Sequence, residues 1–201
     1  MIHTYSLIHD DLPAMDNDDW RRGKLTNHKV FGEGIAILAG DGLLNQAFEV
    51  MLENASRYPD KLSNHLEAIR IIAKGAGIRG MIGGQALDLE GEKNKMDEIS
   101  LAEIHQRKTG ALITASLLAG LCLQNPTKKQ WEAIEAYGNK IGVVFQIIDD
   151  ILDITGEQEK LGKSMGGDLS RCKQTYPRLY GIEASRKLAD KLTCEAMDLM
   201  G

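Results

Sequence analysis

The chain has 201 residues, 43% hydrophobic and 26% charged, which is typical of a globular protein with one sizeable core. A formal net charge of −5 argues against nucleic acid as the main partner. The three cysteines have an odd count and no CxxC spacing, which favours a reducing, cytoplasmic location over a disulfide framework. No apolar run reaches the about 20 residues of a membrane span, and no signal-peptide pattern opens the chain. We therefore expect one domain over residues 1–201 and no membrane span.

Apolar residues recur with helical spacing along the chain, and no run alternates as a β-strand does. The sequence therefore predicts an all-α protein. Thr127 and Gln130 have the capping-box spacing that begins a helix. Two long polar connections, residues 17–34 and 155–180, each follow a cluster of aspartates, and loops of this length are usually functional. We expect helices at about residues 2–12, 34–55, 61–91, 98–123, 128–155 and 182–199.

The later aspartate cluster lies within an apolar helical segment. Gln146, Asp149, Asp150 and Asp153 are spaced i, i+3, i+4 and i+7, so they share one helix face. Carboxylates this close repel one another unless cations lie among them, and Mg²⁺ prefers oxygen ligands. A solvated acidic face is the simpler alternative, but the flanking isoleucines and leucines predict that this helix is mostly buried.

The earlier cluster contains Asp10, Asp11 and Asp16. Asp10 and Asp16 are six residues apart, which places them on different faces of a straight helix. Pro13 disfavours helical geometry at the residue before it, so we expect an irregular backbone here. Taken alone, the cluster could be an Asp-rich turn. Together with the later cluster it predicts two walls of one metal site.

Basic side chains complete this pattern. Lys108 lies in an apolar stripe, where a lysine needs an anion, and Thr109 beside it offers a hydroxyl group. Further cations follow each aspartate cluster, although each of them taken singly could be an ordinary surface residue: Arg21, Arg22, Lys163 and Lys173. Acids and bases around one cavity predict a site for a magnesium-bound diphosphate.

The chain resembles the trans-isoprenyl diphosphate synthases, most of all the bacterial type that makes farnesyl diphosphate. The motifs that carry the resemblance occur in the family's order and spacing over essentially the whole chain. The first aspartate-rich motif, which begins at residue 10, has the family's form with two extra residues. They are residues 10–16 (DDLPAMD) with 19–23 (DWRRG), 83–88 (GGQALD), 105–110 (HQRKTG), 145–153 (FQIIDDILD), and 161–163 (LGK) through 173–177 (KQTYP). The resemblance implies an isoprenoid-synthase helical bundle with a central cavity.

The resemblance also implies roles for individual residues. Three Mg²⁺ ions, or Mn²⁺ as a substitute, would be held by the two clusters: Asp10, Asp11, Asp16, Asp149, Asp150 and, less directly, Asp153. The allylic diphosphate would be bound by Arg21, Lys108, Lys163 and Lys173, and isopentenyl diphosphate by His3 and Arg22. Lys108, Thr109, Gln146 and Lys163 would act at the reaction centre. Gln85 and Asp88 would support that centre, or belong to an inner polar network.

The implied reaction condenses dimethylallyl or geranyl diphosphate with isopentenyl diphosphate, by ionisation, condensation and proton loss. Tyr5, five residues before Asp10, and Ser6 would set the product length, and a bulky aromatic residue there favours the fifteen-carbon product. Tyr5 could equally be an ordinary core residue. Geranylgeranyl diphosphate or a longer chain is the nearer alternative product.

The resemblance is incomplete at both ends of the chain. Family members have further helices upstream, with a Gly-Lys-Arg motif for isopentenyl diphosphate, and further helices at the C-terminal end. We therefore expect the sequence to be a fragment. A non-catalytic subunit that resembles a prenyl synthase is the alternative from a different class, and the family pattern suggests a homodimer. Cys172 stands where a glycine commonly precedes the lysine.

Overall fold

The computed structural model describes residues 1–91, 98–155 and 175–201. Over these residues the protein is a bundle of α-helices, which confirms the all-α prediction. The helices are α1 (Ile2–Asp10), α2 (Asn27–Phe31), α3 (Glu33–Ser56), α4 (Leu62–Ala76), α5 (Met81–Gly91), α6 (Glu98–His105), α7 (Ala111–Cys122), α8 (Lys128–Thr155), α9 (Tyr176–Tyr180) and α10 (Ile182–Asp198). A 3₁₀ turn at Pro59–Lys61 precedes α4, and a π-helical turn at Gln106–Gly110 joins α6 to α7.

Three apolar clusters hold the bundle together. The first joins α4 to α7 through Ala68, Ile71 and Leu118. The second joins α8 to α9 and α10 around Ile147 and Ile151. The third surrounds Tyr5 on α1, with Ala76 and Met81 as buried neighbours. In addition, α1 packs along α3 and α7 packs along α8, so α7 lies between α4 and α8.

The prediction of one helix over residues 61–91 was wrong, because a turn at residues 77–80 separates α4 from α5. Gly77 has extended backbone angles, with φ −79° and ψ −166°. At Gly80 a Cβ atom would lie 2.1 Å from the carbonyl oxygen of Gly75, so only glycine fits there. The predicted helix 98–123 contains the π-helical turn, which side-chain periodicity did not reveal.

The capping box at Thr127 is confirmed at the start of α8. The backbone N–H of Thr127 donates to Gln130 Oε1 over 2.9 Å, and the N–H of Gln130 donates to Thr127 Oγ1 over 3.3 Å. The polar connection at residues 17–34 is more ordered than expected. It holds α2 and an antiparallel ribbon of two short strands, β1 (Trp20–Arg21) and β2 (Lys24–Leu25), in which Arg21 pairs with Lys24.

Helix α3 is long and apolar enough, by length and composition, to cross a membrane. The expectation that no segment qualifies therefore has one exception among the described residues. Only 17% of the qualifying window is buried in this structure. The same test is passed by core helices of proteins with no membrane span, so it is weak support for one.

Candidate active site

The first aspartate cluster lies at the end of α1, where the backbone leaves the helix and curls back. The N–H of Asp16 donates to the carbonyl of Asp10 over 2.9 Å, and that of Asn17 donates to the carbonyl of Leu12 over 3.0 Å. Asn17 takes a positive φ of 52°, which an asparagine tolerates. This turn brings Asp16 beside Asp10, although a straight helix would place the two on different faces.

A tight hairpin presents Arg21 to Asp11. Arg22 and Gly23 connect β1 to β2, with φ values of 53° and 74°, the positive φ at both turn positions that a type I′ turn requires. Arg21 Nε donates to Asp11 Oδ1 over 2.7 Å, and its Nη2 also contacts Asp18 Oδ2 at 3.6 Å. Asp11 is only 4% exposed, and burial raises the pKa of its carboxyl although Arg21 pulls that pKa down.

Lys108 connects the end of α1 with α5. Its ammonium donates to Asp88 Oδ2 over 2.7 Å and lies 3.9 Å from Asp10 Oδ1. Gln85, one turn before Asp88 on α5, donates from Nε2 to Asp10 Oδ1 over 2.8 Å. The two residues expected to support the reaction centre therefore contact the aspartate cluster and the lysine directly. This contact fits both expectations for Gln85 and Asp88, because an inner polar network and a supporting role use the same bonds.

Two glycines allow the π-helical turn to approach its neighbours. A Cβ at Gly84 on α5 would lie 2.2 Å from the backbone nitrogen of Lys108. A Cβ at Gly142 on α8 would lie 2.5 Å from Gly110 Cα. Neither distance is possible for real atoms, so the turn lies against both helices only because glycine stands at both positions. Single π-helical turns are frequent at functional sites, and this one carries both Lys108 and Thr109.

The second cluster is reached through Thr109. Its hydroxyl donates to Gln146 Oε1 over 3.0 Å, and Gln146 Nε2 donates to Asp150 Oδ1 over 2.9 Å. The other oxygen of Asp150 accepts the backbone N–H of Tyr176 over 3.1 Å. Asp150 is 2% exposed and thus fixed between α8 and α9. Consecutive residues of the π-helical turn, Lys108 and Thr109, therefore reach one aspartate cluster each.

The burial of α8 is less complete than its sequence predicted. Ile147 and Ile151 are buried, whereas Ile148 and Leu152 are exposed. The helix thus presents one apolar face to the bundle and leaves another uncovered.

Asp149 and Asp153 complete the acidic face of α8. Asp153 is buried, and its Oδ2 has no hydrogen-bond partner among the described residues. A buried carboxylate oxygen without a partner is costly, and a cation would remove that cost. Within residues 1–91, 98–155 and 175–201, no three acidic, His or Cys side chains are grouped closely enough to hold a metal ion. Such a cage is not required for Mg²⁺, which keeps several waters and is completed by substrate phosphates. The donor set therefore fits Mg²⁺.

His3 lies on α1 near the hairpin. Desolvation, then the charges of Arg22 and Arg21, lower the pKa of its imidazole below the usual 6.5. The pKa shift shows that His3 and Arg22, the two residues expected to bind isopentenyl diphosphate, share one electrostatic environment.

Tyr5 is 5% exposed, and its hydroxyl has no hydrogen-bond partner in the part of the chain that the structure describes. Its ring meets His9 edge-on, with centroids 5.8 Å apart. Ser6 is turned to its own helix, where its hydroxyl donates to the carbonyl of His3 over 2.9 Å. The position of Tyr5 inside the bundle is compatible with both the core and the chain-length interpretation.

Lys163, Lys173 and Cys172 lie outside the described residues, so their predicted contributions stay predictions. Sequence reasoning missed Gly84, Gly142 and Tyr176, which fix the π-helical turn and Asp150. The adjacent glycines 83 and 84, within a helical pattern, were the one signal that could have indicated a close helix contact.

The chain is similar in sequence to known prenyl diphosphate synthases. The farnesyl diphosphate synthase of Micrococcus luteus is 50% identical over 194 residues, covering 96% of this chain and 65% of that protein. Geranylgeranyl pyrophosphate synthase 9 of Arabidopsis thaliana is 47% identical over 201 residues, covering 98% of this chain and 55% of that protein. The chain therefore spans less than two thirds of the length of these relatives.

A solved structure is also similar to this chain over nearly its whole length. The geranyltransferase of Helicobacter pylori, complexed with magnesium and isoprenyl diphosphate, superposes with a TM-score of 0.88 at 37% identity, covering 98% of this chain and 64% of that one. The bundle is thus the isoprenoid-synthase fold. The polyprenyl synthetase family model matches residues 1–197, which include both aspartate clusters and the π-helical turn between them. By this match and by the arrangement of its site, the chain belongs to the polyprenyl synthetase family.

Proposed function

We propose that the chain carries the catalytic site of a magnesium-dependent prenyltransferase. It condenses dimethylallyl or geranyl diphosphate with isopentenyl diphosphate to give farnesyl diphosphate. One observation carries the proposal: the consecutive residues Lys108 and Thr109 reach the two aspartate clusters, through Asp10 and through Gln146 to Asp150. The names of relatives that make farnesyl and geranylgeranyl diphosphates support the reaction class.

In this proposal Lys108 and Arg21 bind the allylic diphosphate. In this structure each neutralises carboxylates, Asp88 and Asp10 for Lys108 and Asp11 for Arg21. A diphosphate offers the same charge-assisted hydrogen bonds. When its oxygens replace these carboxylate contacts, both cations stabilise the negative charge that develops as the allylic C–O bond ionises.

Mg²⁺, when bound, neutralises the diphosphate and makes it a better leaving group. The donors proposed to hold it are Asp10, Asp11, Asp16, Asp149 and Asp150, with Asp153 as a less direct contributor. Three ions, and Mn²⁺ as a substitute, belong to this proposal. The similarity to the Helicobacter pylori geranyltransferase, which was solved as a complex with magnesium, supports the choice of metal.

The remaining chemistry needs no further acid or base from the chain. The double bond of isopentenyl diphosphate, held by His3 and Arg22, attacks the allylic cation. The departing diphosphate accepts the proton that is then lost. Thr109 and Gln146, whose side chains are joined by a hydrogen bond, would stabilise positive charge through their oxygens, while apolar walls exclude water. Lys163 and Lys173 remain proposed diphosphate contacts.

Farnesyl diphosphate is the product that Tyr5 favours. The ring is buried between Ala76 and Met81, five residues before Asp10, where it limits the depth available to a growing chain. The Arabidopsis relative, named for a twenty-carbon product, makes geranylgeranyl diphosphate the second candidate.

A homodimer in the cytoplasm is also part of the proposal. Large apolar side chains are exposed together on α2 and the start of α3, namely Val30, Phe31, Ile35 and Leu38. An apolar surface of this kind is typical of a subunit interface. The cysteine pattern supports the cytoplasmic location.

The test is an assay of this chain with geranyl diphosphate, isopentenyl diphosphate and Mg²⁺, followed by product chromatography. We expect Mg²⁺-dependent release of diphosphate and a fifteen-carbon product. Asp153→Asn should lower turnover about 100-fold, because it removes the charge from a buried carboxylate with an unpartnered oxygen, which this proposal pairs with a cation. Asp190→Asn, the same exchange on the exposed side of α10, is the matched control.

A main product of twenty carbons would show that the product is geranylgeranyl diphosphate and not farnesyl diphosphate. If no diphosphate is released while Mg²⁺ and geranyl diphosphate still bind, the catalytic proposal is wrong and a non-catalytic subunit is favoured. Light scattering at micromolar concentration tests the dimer, and a monomeric mass would contradict it.

A further inference from the structure

A cavity of about 440 Å³ lies over α7, between α4 and α8. None of the residues assigned above to metal, diphosphates or chain length lines it. Lys108 faces the aspartates, whereas its neighbour Arg107 lines this cavity. The volume lies in the range of small-molecule sites, about 300–1,000 Å³.

The helices give the cavity two unlike ends. Gly75 of α4 contacts Ala115 of α7, and Asn64 Nδ2 donates to the carbonyl of Cys122, so α4 and α7 run antiparallel. One end of the cavity is consequently lined by Lys74, Arg79 and Arg107. The other end is lined by Ile71, Leu118 and Trp131, with Arg70 beside Ile71.

The charge of the lining is positive in a chain that is negative overall. Four basic residues face two acidic ones, Glu103 and Glu135. Arg107 pairs with Glu103, and Arg70 pairs with Glu67. Lys74 and Arg79 have no ion-pair partner in the part of the chain that the structure describes. Exposed cations are ordinarily only hydrated, but these two border a cavity whose far end includes the apolar side chains of Ile71, Leu118 and Trp131.

We propose that this cavity binds an organic phosphate or diphosphate that carries a short apolar tail. The anionic head lies among Lys74, Arg79 and Arg107, whose donors form charge-assisted hydrogen bonds with phosphate oxygens. The tail lies along Ile71, Leu118 and Trp131, where burial of apolar surface contributes to binding. Thr114 and Asn139 between the two ends leave the middle of the cavity able to bind polar groups.

The site is separate from the prenyl transfer proposed above, since it uses neither aspartate cluster and needs no Mg²⁺. It is nevertheless physically connected to it. Arg107 and Lys108 are consecutive residues of the π-helical turn, so a ligand that binds Arg107 contacts the segment that positions Lys108. A ligand bound in this cavity should therefore change the rate of prenyl transfer as well as the fluorescence of Trp131.

The test uses octyl phosphate as the probe, in EDTA, so that no metal-dependent anion site contributes. Trp20→Leu leaves Trp131 as the one tryptophan, because the chain has two. We expect a saturable change in Trp131 fluorescence, and binding at least tenfold weaker in a Lys74→Ala/Arg79→Ala variant. Both side chains are exposed, so their removal should leave the circular dichroism spectrum unchanged. Arg186→Ala/Lys187→Ala on α10 removes the same charge elsewhere and is the control.

Inorganic phosphate, which lacks the tail, should bind at least tenfold more weakly than octyl phosphate. The proposal is overturned if octyl phosphate causes no saturable change, or if both double variants weaken it equally, which would indicate general attraction to positive charge. Equal binding of inorganic phosphate would overturn the role of the apolar end. Because these measurements need no turnover, their failure is distinguishable from failure of the prenyltransferase proposal.

Discussion

Arg21 directs two of its nitrogens at one oxygen, since Nε and Nη2 lie 2.7 and 2.6 Å from Asp11 Oδ1. The carboxyl that they contact is almost fully buried. Truncating one partner of a buried ion pair costs about 3–5 kcal/mol, because the other charge is left uncompensated. Arg21 therefore stabilises the folded end of α1.

This pair should give the free energy of unfolding a measurable pH dependence. Burial raises the folded-state pKa of Asp11 above its usual 3.8, so the folded chain binds this proton more tightly than the unfolded chain does. The stabilising contribution is complete below pH 3.8 and is lost as the pH rises through the raised pKa. Arg21→Ala should steepen this loss, because Arg21 holds the pKa down.

We expect Arg21→Ala to cost about 3 kcal/mol near neutral pH, and less at about pH 4, in urea unfolding experiments. Arg186→Ala, an exposed arginine on α10, serves as the control. A cost that is the same in acid and at neutral pH would show that Arg21 does not shift the pKa of Asp11.

Tyr5 tests the control of chain length. Tyr5→Ala should open space beside Ala76 and Met81 and shift the product from fifteen to twenty carbons. The same change should cost about 3–5 kcal/mol of stability, as for other large buried side chains. Tyr5→Phe is the matched control, because the ring is retained and no hydrogen bond from the hydroxyl to a described residue is lost. A product of unchanged length in the alanine variant would show that Tyr5 is a core residue without a role in chain length.

Replacing Gly84 tests whether activity depends on the position of the π-helical turn. Gly84→Ala places a methyl group 2.2 Å from the backbone nitrogen of Lys108, so α5 and the turn must separate. We expect turnover to fall about 100-fold, and to fall little further when Lys108→Ala is added. Gly120→Ala on α7 meets no described atom within 4 Å and should be neutral or slightly stabilising. Equal, additive losses in the double variant would mean that Gly84 acts through stability alone.

Gln146 tests the link to the second cluster. Gln146→Leu removes the acceptor for Thr109 and a donor to Asp150, so it should lower kcat about tenfold to 100-fold. Thr109→Val breaks the same link from the other side. If the two residues act together, the double variant should lose little more than either single one. Steady-state kinetics with kcat and KM resolved would measure this coupling, and fully additive losses would exclude it.

The helices and the acidic face of α8 could be predicted from the sequence because both depend on local periodicity. Gln146, Asp149, Asp150 and Asp153 share a face wherever residues 146–153 are helical. The boundary at Thr127 was predictable for the same reason, since a capping box involves only four consecutive residues.

What could not be predicted depends on backbone geometry and packing that the pattern of residue types does not encode. The apolar pattern continues on both sides of the break at residues 77–80 and of the π-helical turn. Helical periodicity therefore does not reveal either feature. The approach of Asp16 to Asp10 requires a backbone hydrogen bond that no pattern of residue types encodes. Tyr176 supports Asp150 through its backbone N–H, a group that every residue except proline has.

The hairpin turn also decides what the adjacent arginines do. Arg21 lies in a strand and points to Asp11, whereas Arg22 lies at the turn, with φ 53°, and acts on His3. Two neighbouring charges that look like one basic patch in the sequence are thereby divided between the carboxylate of Asp11 and the imidazole of His3. One residue inserted at this turn would reverse the facing of the strand, and with it the separation of the two arginines between Asp11 and His3.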